Sequence, residues 1–332
     1  MTPAPAQTSG STPNAGPMLT FAALFAALLA TGAFVSQRPE LAAGLRYFRV
    51  PAPEGDFYPV SELDYYVLTR GLKGTEQRMR GADVLILGNS RVHFGLRAED
   101  AVPAFAKRCL DVYNLAFGAQ DSAKFPLAIL ERFELRPKLI VVNADGFFGS
   151  KLTPLGKRAL SMDDFVAFRS ALEVEWAWYA KKLVHAYVPH WPTVMTPNPW
   201  VLYRSVENGF WFIASVPAQR HPVTKTTTVG AVREEAFQEA IELKRTLDAE
   251  GIELVFTLIP YSSAPTFEAR AIAERIGVPL FAPELGGLMT VDQSHLDEAS
   301  ARRVTEAIFA ELGPWLDRQG LGCRAGSRSH HE

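Results

Sequence analysis

The chain has 332 residues, 48% of them hydrophobic, enough for one large α/β domain with additions or for two modest domains. Its formal charge of −2 provides no basic stripe, which argues against nucleic acid as the main partner. Two cysteines, Cys109 in an apolar stretch and Cys323 in a polar tail, make neither a disulfide framework nor a metal site, and no bond between them is expected.

Residues 1–17 carry no charged side chain and are rich in Pro, Ser, Thr, Gly and Ala, the composition of a disordered tail. Residues 18–35 follow without a single charge. As a helix this run would measure roughly 27 Å, close to the ~30 Å hydrocarbon core, so a single transmembrane anchor is expected. A cleaved signal peptide ending near Thr31-Gly32-Ala33 and a buried or interfacial helix are the rivals; the uncharged start and the length of the run tell against cleavage. Arg38, Arg46 and Arg49 follow the span and only the terminal amine precedes it, so charge alone mildly favours the cytoplasmic side for what comes next.

Residues 36–80 mix prolines, aromatics and charges, and read as a stalk lying against the domain, with a short helix near 61–72. The main domain is expected over 81–318. Strand 83–87 precedes helix 98–107, strand 110–115, helix 122–133 and strand 138–142. Helix 231–249, strand 252–259, helix 264–275, short strand 278–281 and closing helix 297–316 make a second alternating stretch, with Gly251 as a C-cap. Strands separated by helices of this length predict a parallel sheet covered on both faces.

An insertion at 150–230 interrupts the alternation and is large enough for a lid or a flank. It opens with a helix at 161–185, along which Phe165, Phe168, Leu172, Trp176, Tyr179 and Leu183 recur at steps of three and four. Such a stripe normally packs against the body. Trp178, Tyr187, Trp191 and Trp200 fall off it and are candidates for a sugar-binding groove or a membrane-interface belt. Residues 319–332 read as a disordered tail.

Chemistry gathers at strand ends. Ser90 follows strand 83–87 in Gly88-Asn89-Ser90-Arg91, at the carboxyl edge where open α/β sheets hold ligands. Asp292 and His295 lie three apart in a polar turn about 200 residues downstream, completing a Ser, Asp and His inventory for acyl transfer. Ser90 would be the nucleophile, His295 the base, and Asp292 the group that fixes the imidazole tautomer. The backbone N–H of Ser90, a backbone N–H from Gly118 or Ala119, and the amide of Asn143 are candidate oxyanion donors. His93 is a poor second choice for the base, and Arg91 is expected to pair with an acidic neighbour. His185, His190 and His221 lack metal-ligand spacing, so neither a metal nor a cofactor is expected.

Four segments together resemble the SGNH, or GDSL-type, hydrolase superfamily: Gly88-Asn89-Ser90, the Asn114–Ala119 turn, Val142-Asn143-Ala144-Asp145, and Asp292-Gln293-Ser294-His295. Asn89 replaces the family's aspartate, Ala119 stands where its second-block glycine usually lies with Gly118 one earlier, and Val141 occupies its third-block glycine position. The resemblance implies a flavodoxin-like parallel sheet sandwiched by helices, the SGNH fold. It further implies a membrane-anchored serine acyltransferase or acyl esterase, with a periplasmic catalytic domain acting on a cell-surface polysaccharide. The implied partners are the glycan, an acyl donor, and a membrane acyltransferase or polysaccharide synthase. A lipid or small-ester hydrolase and a catalytically silent glycan-binding scaffold are the other classes.

Overall fold

The computed structural model describes residues 54–118, 121, 123–149, 151–187, 200–224 and 231–323, with side chains of 181–187 excepted. The expected tail at 1–17, the span at 18–35 and most of the stalk lie outside the described residues. The chain divides into two compact units, Met1–Val50 with Lys182–Trp191, and Pro51–Lys181 with Pro192–Glu332. Only the helical residues 182–187 of the first are described; the architecture below is that of the second.

Five strands, β2 (Val84–Leu87), β3 (Val112–Asn114), β4 (Leu139–Asn143), β8 (Glu253–Thr257) and β9 (Leu280–Phe281), form one sheet in the order β3-β2-β4-β8-β9. All its pairings are parallel, as the uninterrupted apolar runs predict. The chain therefore reverses direction across the sheet at β2, and the order is that of flavodoxin-like folds.

Successive strand residues point to opposite faces and so build two cores. Leu85, Leu87, Ile140, Val142, Leu254 and Phe256 meet helices α5 (Lys124–Arg132), α8 (Glu234–Ala249) and α9 (Thr266–Ile276). Val84, Ile86, Leu139, Val141 and Val255 face α3 (Ser90–Gly95), α4 (Ala98–Ala106) and α10 (Glu298–Gln319). Each expected main-domain helix and strand is present with its ends moved by a few residues. The short α3, which begins at Ser90 itself, was not anticipated.

Several expectations change. The described part of the supposed stalk is integral to the body: β1 (Phe57–Pro59), α1 (Leu63–Arg70) and α2 (Thr75–Gly81) bury Tyr58, Leu63, Tyr66, Val67, Leu68 and Met79. The insertion supplies α6 (Pro154–Ser161), α7 (Asp164–Tyr187), β5 (Val201–Ser205) and β6 (Trp211–Ser215), with a break near Met162 where one helix was expected. A three-stranded antiparallel sheet in the order β1-β5-β6 then joins insertion to N-terminal extension, so this part is a flank. Strand β7 (His221–Pro222) pairs with β10 (Met289–Thr290).

The apolar stripe of α7 does not pack inward. Phe165, Phe168, Leu172, Trp176 and Tyr179 are 39% to 74% exposed, whereas Ala167, Ser170 and Ala171 are buried. Small side chains let the helix lie close to the body, and the large ones of the stripe are left outside.

Cys109 and Cys323 are bonded, contrary to expectation, with Cα atoms 5.2 Å apart. Long-range packing brings them together: α10 runs on to Gln319, and Arg108 pairs with Asp317 at 3.0 Å. Residues 319–323 therefore belong to the fold and not to a disordered tail. Because the bond closes 214 residues, its loss should lower stability by about 2–5 kcal/mol. Urea unfolding of the Cys109→Ser, Cys323→Ser double variant, or of the native chain in dithiothreitol, reads this directly.

Among the described residues no helix is long and apolar enough to cross a membrane.

Candidate functional site

Strand β2 ends at Leu87, and Gly88 turns the chain with φ +150°. A side chain there would meet Val92 Cγ2 at 2.7 Å and Asn143 Cβ at 2.9 Å, so both conformation and space demand glycine. Asn89 then caps α3: its side-chain oxygen accepts the Arg91 N–H at 3.0 Å. Ser90 is the first helical residue, at the sheet's carboxyl edge beside the strand where the order reverses.

The Asp292–His295 loop arrives from the other end of the chain. Val291 N–H bonds to the His295 carbonyl at 2.8 Å and Asp297 N–H to the Met289 carbonyl at 3.0 Å, closing the loop at its base. Gln293 takes a left-handed φ of 71°, letting Asp292 Oδ1 accept the N–H groups of Ser294 (3.0 Å) and His295 (2.8 Å). Asp297 caps α10 by accepting the Ser300 N–H.

The three expected residues are joined. Ser90 Oγ lies 2.8 Å from His295 Nε2 across 205 positions of sequence, and His295 Nδ1 lies 2.7 Å from Asp292 Oδ2. Burial would raise the Asp292 carboxyl, but the His295 ring and the two loop N–H groups outweigh it and hold the pKa below the usual carboxylate range. Burial lowers the His295 pKa, against the opposing pull of Asp292. The imidazole is therefore neutral near pH 7, with Nδ1–H donated to Asp292 and Nε2 open to accept from Ser90.

Aromatic rings wall the imidazole: Phe94 of α3 lies 4.5 Å from its centroid and Trp200 of the insertion 5.7 Å. Of the off-stripe aromatics, Trp200 thus reaches the site, whereas Trp178 packs on Tyr203 at 5.9 Å. The side chain of Tyr187 and all of Trp191 lie outside the described residues.

The oxyanion candidates are placed unequally. Ser90 and Gly118 N–H groups have no partner among the described residues. Ala119 lies outside the described residues. Asn143 is fully buried beside Gly88; its Oδ1 accepts the Ile259 N–H at 2.9 Å, while Nδ2 has no partner. A buried donor left without an acceptor is uncommon and costly, so its retention calls for a reason.

Arg91 does pair with an acid, Asp145, which also accepts from Asn89 Nδ2 at 3.0 Å and from Tyr261 O–H at 2.9 Å. The guanidinium lies 4.0 Å over the Tyr261 ring and donates to Ser294 Oγ at 2.9 Å, bracing the loop that carries His295. His93 does not serve the site: it is buried, stacked on Trp211 at 4.2 Å, donates from Nε2 to the Ala116 carbonyl and accepts from Asn114 Nδ2. Phe94, Asp145 and Tyr261 were not foreseen as neighbours of the triad; only Asp145 stood in a quoted motif. Beyond Tyr261 opens a cavity of about 480 Å³, lined among others by Leu258, Pro260, Ala264, Pro283 and Leu285.

Among the described residues no group of His, Cys, Asp and Glu is arranged to hold a metal ion. No protein-family model matches the chain, and no curated protein or solved structure matches it significantly.

The depressed histidine sets a pH dependence. If His295 serves as a base toward Ser90, only its neutral form can take the proton, and kcat/KM for an acyl ester should fall on acidification with an apparent pKa below the ordinary ~6.5 of histidine. A pH–rate profile measures it; an acid limb above 7 would contradict the placement of His295.

Proposed function

We propose that this chain is an SGNH-like serine acyltransferase or acyl esterase, with Ser90 as nucleophile. The observation that carries the reading is the continuous hydrogen-bonded chain Ser90–His295–Asp292 at the carboxyl edge of a flavodoxin-like sheet. A silent scaffold would need no contact between Ser90 and His295, and their 2.8 Å separation speaks against it.

In the reaction, Ser90 Oγ bonds to the ester carbonyl carbon as its proton passes to His295 Nε2, and the carbonyl π pair moves onto oxygen. The N–H groups of Ser90 and Gly118 are the candidate donors to that oxyanion, with the orphaned Asn143 amide as a third. Collapse expels the alkoxide, which takes the proton from Nε2 and leaves an acyl-Ser90. A sugar hydroxyl or water then gives its proton to Nε2, attacks the acyl carbon and releases Ser90, which recovers the proton. Asp292 stays ionised throughout and stabilises the imidazolium.

A cell-surface glycan as acceptor and an extracytoplasmic site follow from the family resemblance. The Cys109–Cys323 bond supports that compartment, because such bonds persist where the surroundings are oxidising. The test is acyl release from, and transfer to, O-acetylated polysaccharides by the full chain against Ser90→Ala. The reading requires Ser90-dependent loss or gain of polysaccharide acetyl groups. Turnover of soluble or lipid esters alone would favour the small-ester class instead.

A further inference from the structure

Helix α7 is built the wrong way round for a solvated surface. Phe165, Phe168, Leu172, Trp176 and Tyr179 share one face and are exposed, with Phe165 at 74% and Trp176 at 68%. Toward the body it turns Ala167, Ser170, Ala171 and the partly buried Val174, with Trp178 against Tyr203. Ion pairs hold it in this pose: Asp164 with Arg70 (2.8 Å) and Arg132 (3.2 Å), and Glu175 with Lys73 (3.0 Å). A contiguous exposed apolar face of this kind marks an interaction surface.

We propose that the α7 face rests on a lipid bilayer, an inference that itself rests on reading the uncharged 18–35 run as a membrane anchor. The point of chain entry favours this occupant. The chain coming from that run joins the described fold at β1, whose Pro59 sits opposite Tyr203 of β5, and the Tyr203 ring meets Trp178 of α7 at 5.9 Å. On that anchor reading, residues 36–53 can span at most roughly 60 Å, which would keep the body near the membrane. The chain thus enters the body on the flank where α7 lies.

The chemistry agrees. Phe165, Phe168, Leu172, Trp176 and Tyr179 form the face; Trp and Tyr rings settle at the level of lipid headgroups, and Phe and Leu reach the acyl boundary. The helix's acids do not oppose an anionic surface, because Asp164, Glu173 and Glu175 each have a basic partner. Weak apolar contact of this sort acts as a second attachment that orients a body already anchored.

The test uses the full chain in mixed phosphatidylcholine and phosphatidylglycerol vesicles. Single spin labels are placed at Phe168→Cys, Trp176→Cys and, as a control on the exposed side of α10 across the sheet, Glu306→Cys; the native cysteines remain bonded to each other. The ratio of oxygen to nickel-chelate accessibility should be severalfold higher at 168 and 176 than at 306. Equal ratios at the three sites would overturn the proposal. Dipolar broadening between labels on different chains without raised oxygen access would do so too, assigning the face to a second copy. On the unlabelled chain, brominated lipids should quench tryptophan emission, and Trp176→Phe should remove part of that quenching; no quenching contradicts the membrane contact.

Discussion

Replacing Asp292 by asparagine should lower turnover of a soluble acyl ester by about ten-thousandfold, the scale found when serine hydrolases of this design lose the tautomer-fixing carboxylate. The reason lies in how fully both carboxylate oxygens are used. Oδ1 accepts the N–H groups of Ser294 and His295, and Oδ2 accepts from His295 Nδ1. An asparagine that keeps the two backbone bonds must present its NH2 to Nδ1. The imidazole then carries its proton on Nε2 and cannot accept one from Ser90. Ser90→Ala and His295→Ala should each lose as much or more, up to about a millionfold, and combining them should add little because the three groups act as a unit. Steady-state kinetics on purified variants with unchanged melting behaviour decides the matter. If Asp292→Asn stays within about tenfold of wild type, His295 is not the base.

The largest effect on stability should come from Arg204, which is fully buried at the end of β5. Its Nη2 donates to the carbonyls of Asn114 (2.6 Å) and Ala116 (3.3 Å), and Nη1 to Asp64 Oδ2 (3.3 Å). The guanidinium ties the N-terminal extension, the insertion and the turn after β3 together. Arg204→Met leaves Asp64 as a buried acid without its counter-charge, and leaves the Asn114 carbonyl without this donor. A loss of about 3–5 kcal/mol is expected, a large share of the ~5–15 kcal/mol that holds a domain together. Asp64→Leu combined with Arg204→Met should recover much of it, since two apolar side chains leave no buried charge to satisfy. Urea unfolding of both single variants and the double measures the coupling. A cost below about 1 kcal/mol for Arg204→Met would mean the ion pair does not stabilise the fold.

Local pattern made the central sheet readable. Val84–Leu87 and Leu139–Asn143 are buried along their whole length, so their apolar runs announced strands packed on both faces. The end of β8 was less clear: the run continues through Leu258 and Ile259, but the ladder stops at Thr257 because the Asn143 side chain takes the Ile259 N–H. Ser90, Asp292 and His295 were legible because strand ends and turns confine where chemistry can sit.

Most of what failed depends on partners far away in sequence, which the triad motifs escaped only by their joint resemblance to a known pattern. The period of α7 was right, but a stripe does not say which side faces the body; here Ala167, Ser170 and Ala171 decided it. No local signal pairs Arg204 with Asp64, 140 positions earlier, or Cys323 with Cys109. Trp200 stood out only as an aromatic off the stripe, and its place beside His295 depends on the course of the insertion.

Labelling the folded full chain with a fluorophosphonate serine probe interrogates the nucleophile without knowledge of the substrate. Covalent modification should fall on Ser90 in the wild type and vanish in Ser90→Ala and His295→Ala. Folded wild type that takes up no probe, or equal uptake by Ser90→Ala, would contradict an activated serine at this position.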